Sequence, residues 1–574
     1  MEHRHALAAV GLVASLVFVP SAASPPSLMD DVDAVQAQIA RNMLDSGDWV
    51  TARLNGVVYL EKAPGPYWLM AASFAVFGMH DWAARIPFVL SAIGLCLLTA
   101  RWAAWAWGAR SGFCAGTALA TSVGLWLFTR IQIPDVTLAL AIAWALYSFL
   151  RGRPFQFWAA IGAGFLLKGL IAMVFPIAAV LVYWAITGRW RRWRDLRPAH
   201  GALVTLAIAA PWVILATIRN PPYFDFTMHS ASGEYHGFFW FFFLNEHLFR
   251  FLNMRYPRDY NTVPRVAFWL FHLLWFFPWS AWFPAAFRPR AEEGRGGETR
   301  LLALAWAGFI LVFFTFSTTQ EYYSMPAYPA FALLLGAALE EDRGSKILAA
   351  ITGVLAVALG AIWITVRGYP APGDISQALT LNPEAYTLSL GHMKDLTLPA
   401  FAYLRGPLLM AAVAFLGGTL GLLFLRGIRR VVSLAAMMAL FFFAARTALV
   451  AFDPYLSSRP LAEALKKAPP GTVVYDNQYY TFSSVFFYAN RTGLLLNGRV
   501  NNLEYGSYAP GAPPVFIDDA EFARRWQSPS RHYLLIEGPA LARITKIVPP
   551  GSLHTIAEAG GKFLYSNAAP PAIQ

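Results

Sequence analysis

The chain has 574 residues, 57% of them hydrophobic and 14% charged, with a mean hydropathy of +0.45. That balance excludes an ordinary soluble domain and indicates a polytopic membrane protein. The net charge of +12 does not point to nucleic acid. Its basic residues sit in short loops between apolar runs, where they set topology and meet anionic headgroups.

Residues 1–23 have a short apolar run ending in small residues, as a signal peptide does. They are read as a retained first helix, because the loop that follows is expected outside. Apolar runs follow at 86–106, 112–128, 136–150, 155–167, 170–187, 201–218, 265–286, 301–316, 326–340, 346–366, 405–425 and 431–450. With 5–23 they give about thirteen transmembrane helices. The pair 155–167 and 170–187 reads either as two short helices meeting at Lys168-Gly169 or as one broken span. Cys96 and Cys114 both lie in apolar runs and read as core residues, with no disulfide or thiolate metal site expected.

Loop charges orient the helices. Arg110, Arg151 and Arg153, the run from Arg189 to Arg197, Arg288 to Arg300, Arg343 and Lys346, and Arg426 to Arg430 all fall on one side. The positive-inside rule makes that side cytoplasmic. The loops 24–85, 129–135, 219–264, 317–325 and 367–404 then lie outside, as does the C-terminus. After Phe452-Asp453-Pro454 the composition changes. Residues 455–574 alternate short apolar runs with turn residues, with amphipathic stretches at 461–467 and 519–526, and read as a small extracytoplasmic α/β domain. The division expected is a membrane unit over 1–454 and a soluble unit over 455–574.

Ionisable side chains avoid the middles of the apolar runs. They gather instead at the outer helix ends and in the outer loops, which favours interfacial chemistry over transport. The densest set is the first loop, where Asp30, Asp31 and Asp33 precede IARNML, SGDW, RLNG and VYLEKAPGPYW. Other sets are Arg130 and Asp135, Lys168, Glu246 with His247 and Arg250, and Tyr322 with Tyr323 and Tyr328. Each has an ordinary reading. Lys62 fits a snorkelling interfacial lysine. Glu246 and Arg250 fit an i, i+4 helix pair. Arg130 and Asp135 fit a pair across a turn, His247 a satisfied loop histidine, and the tyrosines an aromatic belt.

Taken together, these segments resemble the polyprenyl-phosphate-dependent glycosyltransferases, including the lipid A aminoarabinose transferases and, more distantly, the protein O-mannosyltransferases. The family pattern runs roughly as an acidic pair, then IAREM, SGDW, LNG, Y, EKPP and YW. LLKG, EHLFRF and YYSMPAYP follow here in the family's order. The resemblance covers about residues 1–450 and implies the GT-C membrane fold. The family's acidic pair stands here as Val32-Asp33, after Asp30 and Asp31. The resemblance implies sugar transfer from a polyprenyl-phosphate (undecaprenyl-phosphate) donor to a lipid, glycan or protein acceptor, at the extracytoplasmic face of the cytoplasmic membrane and with inversion. Lys62, Arg250 and Tyr323 would stabilise the departing lipid phosphate, with Lys168 adding charge. Asp33, then Asp135, with Asp31 in reserve, would act as the base. Glu61, Arg130, Glu246, His247 and Tyr322 complete the candidate set. No metal or other cofactor is required for that chemistry, although carboxylates near a histidine can capture a divalent ion. The chain is expected to act as a monomer among membrane lipids. The competing readings are a lipid-linked sugar flippase or transporter and a glycan ligase.

Overall fold

A computed structural model describes residues 2–258, 262–339, 344–380 and 391–569. Arg343, one of the loop cations above, lies outside the described residues, as do part of the 367–404 loop and the end of the Pro/Ala tail. Among the described residues, seven helices are long and apolar enough to cross a membrane, or up to nine if each of two bent pairs is one span. The longest are α1 His3–Ala22, α4 Asp81–Trp107, α10 Pro198–Arg219, Gly294–Phe316, Ser345–Val366, Arg405–Phe424 and Ile428–Ala451.

Each expected apolar run overlaps helix, and among the described residues seven to nine spans meet the length and composition of a membrane crossing, against about thirteen helices expected. The bent pairs are α5 Ala109–Ala120 with α6 Val123–Thr129, at 51°, and Arg265–Trp275 with Trp279–Ala286, at 100°. The second corrects the straight span expected over 265–286. Pro278 has no N–H to continue the helix, and the run breaks there into two segments set nearly at right angles. α7 Asp135–Leu150 and α9 Ile171–Thr187 are shorter apolar helices. α8 Pro154–Lys168 ends where Gly169 takes a positive φ of 75°. Lys168-Gly169 is therefore a turn between two separate helices. Side chains such as Val354, Val357 and Leu423 stay largely exposed along the flank of the bundle. An apolar solvent satisfies such a surface.

The first loop is more ordered than a polar linker. It contains α2 Val32–Ser46, a hairpin of β1 Arg53–Leu54 and β2 Val57–Val58, and the apolar α3 Gly65–Phe77. Asn55 and Gly56 make the hairpin turn with φ of 49° and 81°, the positive pair such a turn demands. α2 is buried on most sides, Gln36 and Gln38 included.

The C-terminal domain is built on a six-stranded sheet of order β5-β4-β3-β6-β8-β7. Its strands are β3 Thr472–Asp476, β4 Leu494–Leu496, β5 Phe516–Ile517, β6 His532–Glu537, β7 His554–Ala559 and β8 Lys562–Ser566. β3, β4, β5 and β6 pair in parallel, whereas β8 runs antiparallel to β6 and β7. The central strands read as unbroken apolar runs because both faces are covered. Val474, Leu496, Leu534 and Ile536 pack on Phe522, Trp526 and Ile544. On the other face Tyr475, Leu495 and Leu535 join the core of the membrane unit.

Candidate active site

Two carboxylate-bearing centres are joined by one short turn, residues 130–135. The first centre is Asp33, in the first turn of α2, where a helix N-terminus favours an acid. It is fully buried. Its Oδ1 accepts the Gln132 backbone N–H at 3.0 Å, while Oδ2 has no hydrogen-bond partner. Burial pushes its carboxyl above the usual range, only partly offset by the guanidiniums of Arg130 and Arg85. Arg130, itself buried, lies with its guanidinium against the Met29 sulfur.

The other aspartates of the first loop are placed differently. Asp31 caps α2 from the surface with a positive φ of 74°, and its N–H donates to Tyr480 O. Asp30 accepts from Ser458 Oγ at 2.6 Å, Ser484 N at 2.8 Å and Lys562 Nζ at 2.7 Å. Its carboxylate is committed to tethering the C-terminal domain.

The second centre begins where α7 and α8 meet. These helices have 16 and 15 residues and are joined by a tight turn. Near-equal antiparallel helices bring the first residue of one beside the last residue of the other. Asp135 therefore meets Lys168, and the pair closes at 2.6 Å. Each charge sits at the helix end that favours its sign. Asp135 thus pairs with Lys168, not with Arg130 as the turn spacing suggested, and its Oδ2 is buried without a partner. The Lys168 ammonium also lies 5.4 Å and 5.1 Å from the ring centres of Tyr322 and Tyr323, a cation–π arrangement.

Glu61 and Lys62 reach the same place from the hairpin. Lys62 Nζ donates to Glu61 Oε1 at 2.5 Å, and Tyr59 Oη donates to Oε2. Arg250 Nη1 lies 3.6 Å from Glu61 and 2.6 Å from Glu246. Gly65 is needed just after Lys62, since a Cβ there would stand 2.5 Å from the Leu166 carbonyl of α8. Burial pushes the Glu61 carboxyl up, but Lys62, Arg250 and Arg255 outweigh it and hold it well below the usual range. For Lys62, burial favours loss of the proton, yet Glu61 and Glu246 keep it above its ordinary value despite Arg250. The positive charges of Lys62 and Arg250 also act on Lys168, and Tyr323 acts on Lys62. Lys62, Lys168, Arg250 and Arg255 thus form one electrostatic cluster with Glu61, Glu246 and Asp135. Among the described residues linked in this way, four cations and three carboxylates alternate.

His247 is built as a support. Its Nε2 accepts the Leu170 N–H at 3.0 Å, and its Nδ1 sits 2.5 Å from the Phe242 carbonyl. That pattern requires the neutral ring protonated on Nδ1. Burial pushes the imidazolium pKa down to about 4. His247 thereby braces the turn that presents Lys168, beside Gly169, where a Cβ would stand 2.3 Å from Nε2.

Two members of the cluster escaped sequence reading. Arg255, fully buried, donates from Nε to Glu246 at 2.5 Å and from Nη2 to Asn502 Oδ1. Asn502, in the C-terminal helix Asn501–Ser507, donates in turn to Glu61 Oε2 at 2.6 Å. No spacing in the chain links these residues. Only their shared burial in the finished fold does.

The family described as dolichyl-phosphate-mannose-protein mannosyltransferase matches residues 61–215. Curated relatives include two undecaprenyl phosphate-alpha-4-amino-4-deoxy-L-arabinose arabinosyl transferases. The Aeromonas salmonicida protein is 30% identical over 52% of this chain and 54% of its own length. The Pseudomonas paraeruginosa protein is 32% identical over 53% of this chain and 54% of its own. The chain therefore spans little more than half the length of these relatives. In solved structures, ArnT from Cupriavidus metallidurans bound to undecaprenyl phosphate superposes over 98% of both chains, with a TM-score of 0.76 at 24% identity. The apo form of the same protein gives 0.75 at 23%. With the helix bundle and the C-terminal sheet domain, these matches give the chain the GT-C fold, and its sequence is similar to the undecaprenyl-phosphate aminoarabinose transferases over about half of each chain.

Proposed function

We propose that this protein is an inverting membrane glycosyltransferase. It moves a sugar from a polyprenyl-phosphate donor to an acceptor hydroxyl or similar nucleophile at the extracytoplasmic face of the cytoplasmic membrane. The membrane unit, residues 1–454, performs the transfer, and residues 455–574 complete its site. The observation that carries the reading is the convergence of Lys62, Lys168, Arg250 and Arg255 at one buried centre at the outer helix ends.

In the transfer, the bond between the anomeric carbon and the phosphate oxygen breaks, and the bond to the acceptor oxygen forms. The departing phosphate keeps the electron pair and gains negative charge. Lys62 and Arg250 stabilise that charge, with Lys168 and the Tyr323 hydroxyl beside them. Preplaced cations of this kind act where water is scarce, so their fields are weakly screened. Asp33 takes the acceptor proton on Oδ2, the oxygen that the protein leaves unbonded. Asp135 serves chiefly to hold Lys168. The relatives' names make undecaprenyl-phosphate aminoarabinose the first donor to try, and lipid, glycan and protein acceptors are each to be tested.

The test is transfer from a radiolabelled polyprenyl-phosphate sugar in proteoliposomes. Lys62→Ala, Asp33→Asn and Arg250→Ala should each abolish or strongly reduce it. Wild-type rates in all three well-folded variants overturn the mechanism.

A further inference from the structure

α2 continues past Asp33 into the seam between the first loop and the C-terminal domain. A crevice of about 350 Å³ opens there, lined by Gln38 and Asn42 of α2, Arg53 of the hairpin, and Tyr479, Phe486 and Arg491 of the C-terminal domain. Its size falls at the small end of ligand sites, roughly 300–1,000 Å³. Its lining includes none of Asp33, Lys62, Lys168 and Arg250, and its Asn42 lies roughly 13 Å further along α2 than Asp33.

The walls are held by contacts that do not fill the space. Asn55 binds Gly493 on both sides, donating to its carbonyl at 2.7 Å and accepting its N–H at 3.2 Å. Arg41 donates to the Phe487 carbonyl at 3.0 Å. Gln38 donates to Asn42 Oδ1 at 2.8 Å, and Asn42 donates to the Arg53 carbonyl at 2.9 Å. These bonds fix the amides but leave Gln38 Oε1 and Tyr479 Oη buried without a hydrogen-bond partner. Buried polar atoms of that kind call for a solvent or ligand partner. Tyr479 and Phe486 stack at 4.1 Å and close the crevice from behind, with almost no exposed ring surface.

Charge narrows the ligand. Asp45 at the rim faces Arg41 at 3.5 Å. Arg53 spends one nitrogen on the Gly56 carbonyl, at 3.2 Å. Among the described residues, neither Arg53 nor Arg491 forms an ion pair. Two guanidiniums and preset amides in a crevice of this size suit a small polyhydroxylated ligand bearing a negative group. Guanidinium recognises phosphate and carboxylate by paired hydrogen bonds.

We propose that this crevice is a second binding site, separate from the transfer centre, for a sugar that carries an anionic group. Its occupation does not depend on the transfer reading, and binding is measured without donor or turnover.

The experiment is calorimetric titration of the full-length protein in detergent with glucose 1-phosphate, glucose and inorganic phosphate as probes. Glucose 1-phosphate should bind saturably and more tightly than either of the others. Arg53→Ala and Arg491→Ala should each weaken it about tenfold or more, Arg491→Lys less. Lys62→Ala should bind it as wild type does. Both arginines are at least partly exposed, so unchanged thermal midpoints will show intact folds. Absence of saturable binding overturns the site. So does equal binding of inorganic phosphate or of glucose, which removes the sugar or the anionic requirement. Indifference to both arginine variants, or equal loss in Lys62→Ala, also overturns it by placing the probe elsewhere.

Discussion

Asn502 and Glu61 are 441 positions apart in the chain and hydrogen-bonded at 2.6 Å in the fold. The same side chain accepts from Arg255, which holds Glu246, which holds Arg250. A C-terminal asparagine therefore sets the positions of two carboxylates and two arginines in the cationic cluster. Asn502→Leu leaves buried groups without partners at about 1–3 kcal/mol each. Its expected outcome is a lower unfolding midpoint and a transfer rate reduced about tenfold or more. Asn502→Gln should recover part of both. Steady-state transfer and thermal unfolding on the same preparations check it.

Lys62 is the cation that Glu61 aims. Removing one preplaced charge from a developing anion typically costs about 10²–10³ in rate. Lys62→Met should lose kcat on that scale, with a smaller change in donor KM. Unchanged kcat with a raised KM would show that Lys62 binds ground state and transition state equally and so does not act on the developing charge.

Asp33 should impose a pH signature. Burial raises its pKa, and Arg130 and Arg85 restrain the rise. As the base, it must be ionised, so the acid limb of kcat/KM lies above the ordinary carboxylate range. Arg130→Gln removes a restraining charge and should move that limb to higher pH, by about 1.4 kcal/mol for each unit. A limb that stays put in Arg130→Gln would separate the titration from Asp33.

The same raised pKa has a cost in stability. Protonated Asp33 suits the folded state, so its favourable contribution is present below the ordinary value of 3.8 and is lost as pH rises through the raised one. At neutral pH Asp33→Asn should therefore unfold at an equal or higher temperature than wild type while losing transfer. A marked drop in its midpoint would mean that the carboxylate is structural.

His247 titrates in the opposite sense. Its pKa is pushed down to about 4 from 6.5. Its neutral form stabilises the fold fully above about 6.5, and that contribution is lost as pH falls towards about 4. His247→Gln keeps an acceptor for Leu170 N–H but does not titrate. The gap in unfolding midpoint between pH 7.5 and pH 5 should be smaller in the variant than in wild type. An identical gap would refute the role.

Much of this was legible in sequence because it depends on local chemistry. Apolar runs must become helices in lipid, and Asn55-Gly56 is the dipeptide that a two-residue turn favours. Glu61-Lys62, Arg250 and Tyr323 announced themselves as polar groups in an apolar chain, and they do converge. What could not be read was direction and partnership. The run 265–286 has the composition of one span, and composition is blind to the bend at Pro278. α2 looked like a polar loop because its burial depends on a domain that begins 400 residues later. Lys168 took Asp135 from Arg130 because helices α7 and α8 match in length, a relation that no single motif encodes. Asn502 and Arg255 carry no signal at all until the two units meet.

Lys562, in the last strand, holds Asp30 at 2.7 Å, three residues before Asp33. The first loop is thus closed by a residue that lies 532 positions further along the chain. While the ribosome is still working, the early helices are already in the membrane but the loop lacks its fastener and Glu61 lacks Asn502. A nascent chain that has not yet reached the sheet domain therefore carries an unfinished centre, completed only when that domain packs on the first loop.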